Sequence, residues 1–129
     1  GKGKNGKVIL ITLGTGLGTG VFFNGELIPN IELGHIFYKK GVPIEAFAAE
    51  SAKKREALKL KKWAKRFDFF LNHLDRIFAP DHIIIGGGLS KKFDKFKDRL
   101  TVDVPVEVAH FENNAGIIGA AMFARQHLY

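Results

Sequence analysis

The sequence predicts an α/β domain in which about three helices cover one mixed sheet of about five strands, in the order βββαβαβα. Three observations support this fold class. They are a nearly continuous apolar run at residues 7–13, an apolar stripe with helical spacing between residues 60 and 78, and a second apolar run at 82–85 that ends in three glycines. With 129 residues, the chain has the length of a single domain.

The first three strands are expected to form an antiparallel meander. Residues 7–13 are β-branched or apolar almost throughout, which is typical of a strand buried on both faces. Four glycines then alternate with other residues over 14–20, a segment we call the first glycine loop. The pair Asn24-Gly25 favours a type I′ turn between the second and third strands, because both residues tolerate a positive φ. Pro29 ends the third strand.

The centre of the sequence is dominated by one long helix. Nine apolar residues repeat at three- and four-residue intervals and form one stripe, which Pro80 ends. They are Leu60, Trp63, Ala64, Phe67, Phe70, Leu71, Leu74, Ile77 and Phe78. Residues 31–50 are ambiguous, because 39–43 is typical of a loop whereas a helix can begin at residue 44.

The last third of the sequence predicts two parallel strands with a helix between them. The strand at 82–85 runs into the glycines 86–88, which we call the second glycine loop. Ser90 is a candidate cap for a helix over residues 90–100. A strand with some alternation follows at 105–109.

A final helix, rich in small residues, is expected after a cap at Asn113 or Asn114. Parallel strands joined by a helix make a right-handed crossover almost without exception. Three antiparallel strands followed by such βα units give the topology of the ribonuclease-H-like fold, which the actin and hexokinase clan shares.

Positive charge is concentrated in one segment. The chain has 20 Lys and Arg against 13 Asp and Glu, a net charge of +7, and residues 39–66 hold ten of the basic and three of the acidic residues. Such a segment is either a solvated helix face or a track for a polyanion, which is nucleic acid or a phosphate polymer. The candidate polyanion track consists of Lys53, Lys54, Arg55, Lys61, Lys62, Lys65 and Arg66.

Composition excludes several classes of protein. With 46% apolar residues, the chain is too hydrophobic for a disordered polycation. The absence of cysteine excludes a disulfide framework and a cysteine-based zinc site. No apolar stretch reaches the roughly 18 residues needed to span a membrane, so no membrane partner is expected and a cytoplasmic location is predicted.

Both glycine loops are candidates for phosphate binding. The first has neither a P-loop nor a dinucleotide-binding pattern. Its glycines, among them Gly14, Gly16 and Gly18, can nevertheless turn backbone N–H groups toward an anion, and the Thr15 and Thr19 hydroxyls can donate as well. An ordinary glycine-rich hairpin is the alternative. The three consecutive glycines of the second loop exceed the need of a turn and favour close approach of a ligand or of another backbone.

Segment 30–35 holds a carboxylate and an imidazole three residues apart. Glu32 and His35 can bind vicinal hydroxyls, since a carboxylate accepts two hydrogen bonds and an imidazole accepts or donates one. They can also be two of three metal ligands, although no third ligand lies at suitable spacing. Taken alone, the segment is more typical of a surface Glu and a structural His.

Four motifs, in their order and spacing, resemble the ROK family of sugar kinases, and within it the branch that uses polyphosphate. These motifs are residues 14–18, 29–35, 84–92 and 114–121. The likeness extends from about residue 7 to about residue 124. No single motif is as specific as the set.

The resemblance implies phosphorylation of the 6-hydroxyl of glucose, with polyphosphate or ATP as donor and Mg²⁺ as cofactor. It places the donor phosphates at Gly14, Thr15, Gly16, Gly18, Gly86, Gly87 and Gly88. It places the sugar at Asn30, Glu32 and His35. Many family members carry a Cys-rich zinc motif, which this chain and the polyphosphate branch lack, so no zinc is expected.

The sequence departs from the family in one major respect. Family members have two lobes, and the first supplies a D-x-G-G-T phosphate loop and an Asn-Asp motif whose Asp is the general base. Neither motif occurs here. Residues 1–129 are therefore expected to be a carboxy-terminal lobe, nearly inactive alone, since a general base is worth roughly 10²–10⁴-fold in rate. The expected partners are the amino-terminal lobe and a second copy, through the long or the last helix.

The residues leave two alternatives open. The same family includes repressors, so a sugar-sensing or regulatory domain is one. The other is a ribonuclease-H-like nucleic-acid protein, supported only by the basic segment. That chemistry needs clustered carboxylates for two metals, and the opening strands offer only Glu26. Nucleic acid is therefore not expected as a partner.

Overall fold

A computed structural model describes residues 6–14, 16–29, 33–39 and 41–109, with the backbone alone for residues 35 and 37–39. One sheet contains β1 (Lys7–Leu13), β2 (Leu17–Phe23), β3 (Glu26–Ile28), β6 (His82–Gly86) and β7 (Val106–Val108). A separate hairpin contains β4 (Phe37–Lys39) and β5 (Val42–Pro43). The α-helices are α1 (Ile44–Ala48), α2 (Glu50–Arg55), α3 (Leu60–Phe78) and α4 (Phe93–Phe96).

The strand order in the sheet is β3-β2-β1-β6-β7. The first three strands are antiparallel, whereas β1, β6 and β7 are parallel to one another. Asn24 and Gly25 join β2 to β3 with φ values of 51° and 83°, as a type I′ turn requires. The predicted mixed sheet of five strands is thus confirmed.

Strand β1 lies at the centre of the sheet and of the core. Ile9 and Ile11 are completely buried in the cluster that includes the stripe of α3, and Val8 and Leu10 on the other face are 1% exposed. Within α3, the indole of Trp63 stacks on the ring of Phe67 with centroids 5.1 Å apart. The helix ends at Phe78, and its C-cap residue Ala79 adopts a left-handed conformation (φ 45°) just before Pro80. The periodicity of the sequence therefore located this helix correctly.

Four local expectations were incomplete or wrong. Within the segment 39–43, expected to be a loop, Lys39 belongs to β4 and residues 42–43 form β5, which pairs with β4. The helix expected from residue 44 is two short helices that Ala49 separates with an extended backbone. The strand expected at 105–109 is limited to Val106–Val108.

The helix expected at 90–100 is broken into a 3-10 turn (Gly88–Lys92), α4 and a second 3-10 turn (Lys97–Arg99). Ser90 does not cap it, because both its N–H and its hydroxyl donate to the carbonyl of Gly87, an i→i+3 arrangement.

The last predicted helix, after Asn113 or Asn114, lies outside the described residues. In the part of the chain that the structure describes, no helix is both long enough and apolar enough to cross a membrane.

Candidate functional site

The two glycine loops meet at one edge of the sheet. Strands β1 and β6 are parallel neighbours, with Thr12 in register with Gly86, so the chain leaves both strands at the same edge. The Leu13 carbonyl oxygen is so close that a Cβ would lie 2.8 Å from it at Gly87 and 2.7 Å from it at Gly88. Real Cβ atoms do not approach a carbonyl oxygen that closely. Close approach of another backbone, one of the two roles predicted for the second glycine loop, is therefore present.

Gly87 also has a backbone conformation that favours glycine. Its φ is +74°, in the left-handed region that a side chain makes costly. Gly87 and Gly88 are both exposed, whereas Gly86 is buried in β6. The second glycine loop thus presents backbone to solvent at the carboxyl ends of two parallel strands, where ligands bind in open α/β sheets.

A carboxylate from α1 holds the first glycine loop. Glu45 Oε1 accepts a hydrogen bond of 2.9 Å from the N–H of Leu17. A Cβ added to Gly16 would overlap the same oxygen, and a Cβ added to Gly18 would overlap the Thr12 hydroxyl oxygen. These two glycines therefore leave room for neighbouring side chains.

A second carboxylate, from α2, holds the second glycine loop. Glu50 Oε1 accepts a hydrogen bond of 2.9 Å from the N–H of Leu89. Neither Glu45 nor Glu50 was predicted from the sequence as a site residue. The one feature of the sequence that could draw attention to them is that they are two of the three acidic residues in the otherwise basic segment 39–66. That feature gives no reason to connect them with loops 28 and 39 residues distant.

The second half of the predicted sugar-binding segment is a 3-10 turn, Leu33–His35, beside the first glycine loop. The N–H of Leu33 donates to the hydroxyl of Thr19 at 3.1 Å, and Thr19 is 5% exposed. A Cβ on Gly34 would lie 3.0 Å from the Leu17 carbonyl oxygen, so the turn packs directly on β2. The structure therefore places the backbone of His35 near the first loop.

Three predicted site residues, Thr15, Asn30 and Glu32, lie outside the described residues.

Two arginines of the candidate polyanion track have partners within the fold. The Arg66 guanidinium makes hydrogen bonds of 2.7 and 2.8 Å to Glu56 and one of 3.1 Å to the Phe47 carbonyl. The hydrogen bond from Arg66 lowers the pKa of the Glu56 carboxyl below its usual range. Arg55 donates to the Ala46 carbonyl at 2.8 Å. Both arginines thus tie together the helices around α1.

The lysines of the candidate track differ from one another. Lys61, Lys62 and Lys65 are exposed on α3, whereas Lys53 is half-buried and Lys54 pairs with Glu50. The first turn of α3 contains no acidic residue, and no side chain caps it. Cations in the first turn of a helix are unfavourable to the helix dipole, so Lys61 and Lys62 do not stabilise the helix through it. Together with Lys65, they form an exposed cationic surface.

No family model matches the chain. Its fold is that of the corresponding part of ROK-family sugar kinases. The ROK family glucokinase from Streptomyces griseus, solved in complex with glucose and AMPPNP, matches with a TM-score of 0.69 over 95% of this chain and 61% of that one. At 21% sequence identity, this likeness concerns the fold alone.

Two relatives are more similar to this chain in sequence. The polyphosphate glucokinase of Mycobacterium tuberculosis is 44% identical over 124 residues, which cover 95% of this chain and 46% of the relative. The inorganic polyphosphate/ATP-glucomannokinase from Arthrobacter sp. strain KM is 37% identical, with a TM-score of 0.81 over 95% of this chain and 49% of that one. The chain spans about half the length of these relatives. The predicted resemblance is thus confirmed: the chain is a homologue of polyphosphate glucokinases over nearly all of its length.

Proposed function

We propose that this chain is the carboxy-terminal lobe of an enzyme that transfers a phosphoryl group from polyphosphate or ATP to the 6-hydroxyl of glucose. The observation that carries the proposal is the meeting of the two glycine loops at Leu13, beside the turn Leu33–His35. The names of the two relatives support the reaction class, because one is a polyphosphate glucokinase and the other a polyphosphate/ATP-glucomannokinase.

The proposal divides the residues between donor and acceptor. Backbone N–H groups of the two glycine loops bind the donor phosphates, with the Thr15 hydroxyl. Asn30, Glu32 and His35 bind the sugar hydroxyls. The contacts of Leu33 and Gly34 with β2 support this division, because they hold the sugar segment beside the first glycine loop. Phosphoryl transfer depends mainly on such positioning and on charge stabilisation.

The chemistry still needs a general base and a metal. We propose that the base comes from the other half of the enzyme. Among the described residues, no group of three His, Cys, Asp or Glu side chains is placed to hold a metal ion. Glu45 and Glu50, the carboxylates bonded to the loops, already accept backbone N–H groups. Because Mg²⁺ is commonly held by substrate phosphates with few protein ligands, we propose that it comes with the donor phosphates.

A polymeric donor is favoured by the exposed lysines of α3. Lys61, Lys62 and Lys65 can contact the phosphates of a polymer that extends beyond the donor loops, whereas the short triphosphate of ATP stays at the loops. Replacing all three with Gln should weaken polyphosphate binding and reduce its salt dependence, with little effect on ATP binding. Equal losses for both donors would contradict the proposed track.

Self-association is part of the proposal. Among the residues that the structure describes, five large apolar side chains are between 39% and 52% exposed, three on β2 and β3 and two on α3. They are Phe23, Leu27, Ile28, Phe69 and Ile77. We propose that the two on α3 contribute to a homodimer. Light scattering on the chain and on an Ile77→Lys variant measures this, and a monomer in both at high concentration contradicts it.

The reaction is tested by a phosphotransfer assay on glucose with each donor. The chain is assayed alone and together with the amino-terminal half of the M. tuberculosis relative. We expect negligible turnover by the chain alone and measurable turnover by the mixture. Robust turnover by the chain alone would contradict the proposal that the general base comes from the other half of the enzyme. Glucose binding with no donor binding would favour the sugar-sensing alternative.

A further inference from the structure

The carboxylate of Glu50 is built into the second glycine loop. Its Oε1 accepts the N–H of Leu89 and occupies the place that a Cβ on Gly88 would take. The Glu50 side chain is 18% exposed. Its other oxygen lies 3.5 Å from Nζ of Lys54, whose side chain is 77% exposed. The carboxylate therefore faces the loop, while its cationic partner faces solvent.

The element that carries Glu50 is fixed to the core. Helix α2 begins at Glu50, directly after the extended residue Ala49. Ala48, Ala49 and Ala52 are completely buried. At the start of α1, the N–H of Ile44 donates to the Ile36 carbonyl at 2.6 Å. Packing and hydrogen bonding thus hold the carboxylate on a rigid support.

Other contacts hold different atoms of the same loop. Ser90 binds the carbonyl of Gly87 through its N–H and its hydroxyl, and the Leu13 carbonyl packs against Gly87 and Gly88. Neither group accepts the N–H of Leu89. Glu50 therefore provides a separate constraint, at the peptide that follows the glycines.

We infer that Glu50 is a positioning residue for the donor loop, which holds the backbone of Gly88 and Leu89 in the conformation that receives the donor phosphate. The inference rests on the proposed function, which assigns the second glycine loop to the donor. A carboxylate beside a phosphate also repels it, so the hydrogen bond and the charge act in opposite directions on donor binding. The two effects are separated by substitution.

Two variants of Glu50 isolate the hydrogen bond. Glu50→Gln keeps an acceptor for the N–H of Leu89, whereas Glu50→Ala removes it, and both variants have the same net charge. We expect Glu50→Ala to bind inorganic tripolyphosphate about three- to tenfold more weakly than Glu50→Gln, as measured by titration calorimetry on the full chain. Without ligand, the Leu89 amide should lose protection from hydrogen exchange in the Ala variant and keep it in the Gln variant.

Glu107→Gln is the matched control, because it makes the same charge change elsewhere. Glu107 lies on β7, and its Oε1 is 3.8 Å from His82 at the other end of β6 from the glycines. Its effect on tripolyphosphate binding should be less than about twofold.

Equal affinities for the Gln and Ala variants of Glu50, or a protected Leu89 amide in the Ala variant, would overturn the positioning role. Absence of tripolyphosphate binding by the unsubstituted chain would overturn the donor-loop assignment itself, and the role of Glu50 with it.

Discussion

The two glycine loops are both held by a carboxylate, yet they need glycine for different reasons. In the first, Gly16 and Gly18 leave room for the side chains of Glu45 and Thr12, which are able to move. In the second, Gly88 also leaves room for the Glu50 carboxylate, but both Gly87 and Gly88 pack against the backbone of Leu13 at the end of the central strand, which cannot turn aside as a side chain can. Similar glycine-rich sequences therefore differ in tolerance: the first loop adapts to a methyl group, and the second does not.

The largest effect is expected for Gly87→Ala. The new methyl group meets both an unfavourable φ and the Leu13 carbonyl, so the free energy of unfolding should fall by at least about 2 kcal/mol. Urea denaturation measures it. Gly41→Ala is the matched control, because Gly41 has a φ of +76° with open space around it. It should cost about 1 kcal/mol, and equal losses for both variants would show that the contact with Leu13 contributes nothing.

The next effect is expected for Glu45→Ala. This change leaves the part-buried N–H of Leu17 without its acceptor and should lower the free energy of unfolding by roughly 1–2 kcal/mol. Glu45→Gln keeps an acceptor and should lose less than about half as much. Urea denaturation of both variants measures the difference. If the two variants lose equal stability, the hydrogen bond to Leu17 is not what Glu45 contributes.

A smaller, coupled effect is expected for Gly16→Ala. The added methyl group displaces the Glu45 carboxylate from Leu17, so the substitution should cost about 1 kcal/mol with Glu45 in place and little in the Glu45→Ala background. A double-mutant cycle by urea denaturation measures this coupling. Additive losses would contradict the view that the glycine serves the carboxylate.

The parts of the fold that sequence predicted are those determined by neighbours along the chain. The turn at Asn24-Gly25 depends on the φ of two residues, and α3 depends on a stripe that repeats within 19 residues. The strand at 7–13 could be recognised because its residues are apolar on both faces. Each of these signals is complete within one short segment.

The parts that sequence did not predict depend on distant atoms. The acceptor roles of Glu45 and Glu50 require loops that folding brings to α1 and α2 from elsewhere in the chain. Ser90 was expected to cap a helix, but its hydroxyl binds the Gly87 carbonyl instead. The glycine loops themselves were recognised as candidate sites. Which glycines face backbone and which face side chains became clear only from the packing around Leu13 and Glu45.

The smallest effect on stability is expected for Gly14→Ala. A Cβ at Gly14 meets nothing within 4 Å, and its φ is not positive, so the free energy of unfolding should change by no more than about 0.5 kcal/mol. If this open space admits the donor phosphate, the methyl group should nevertheless weaken tripolyphosphate binding, measured by titration calorimetry. Normal stability with unchanged binding would place the phosphate elsewhere. Weakened binding at full stability would separate the role of Gly14 in binding from the packing roles of Gly16 and Gly87.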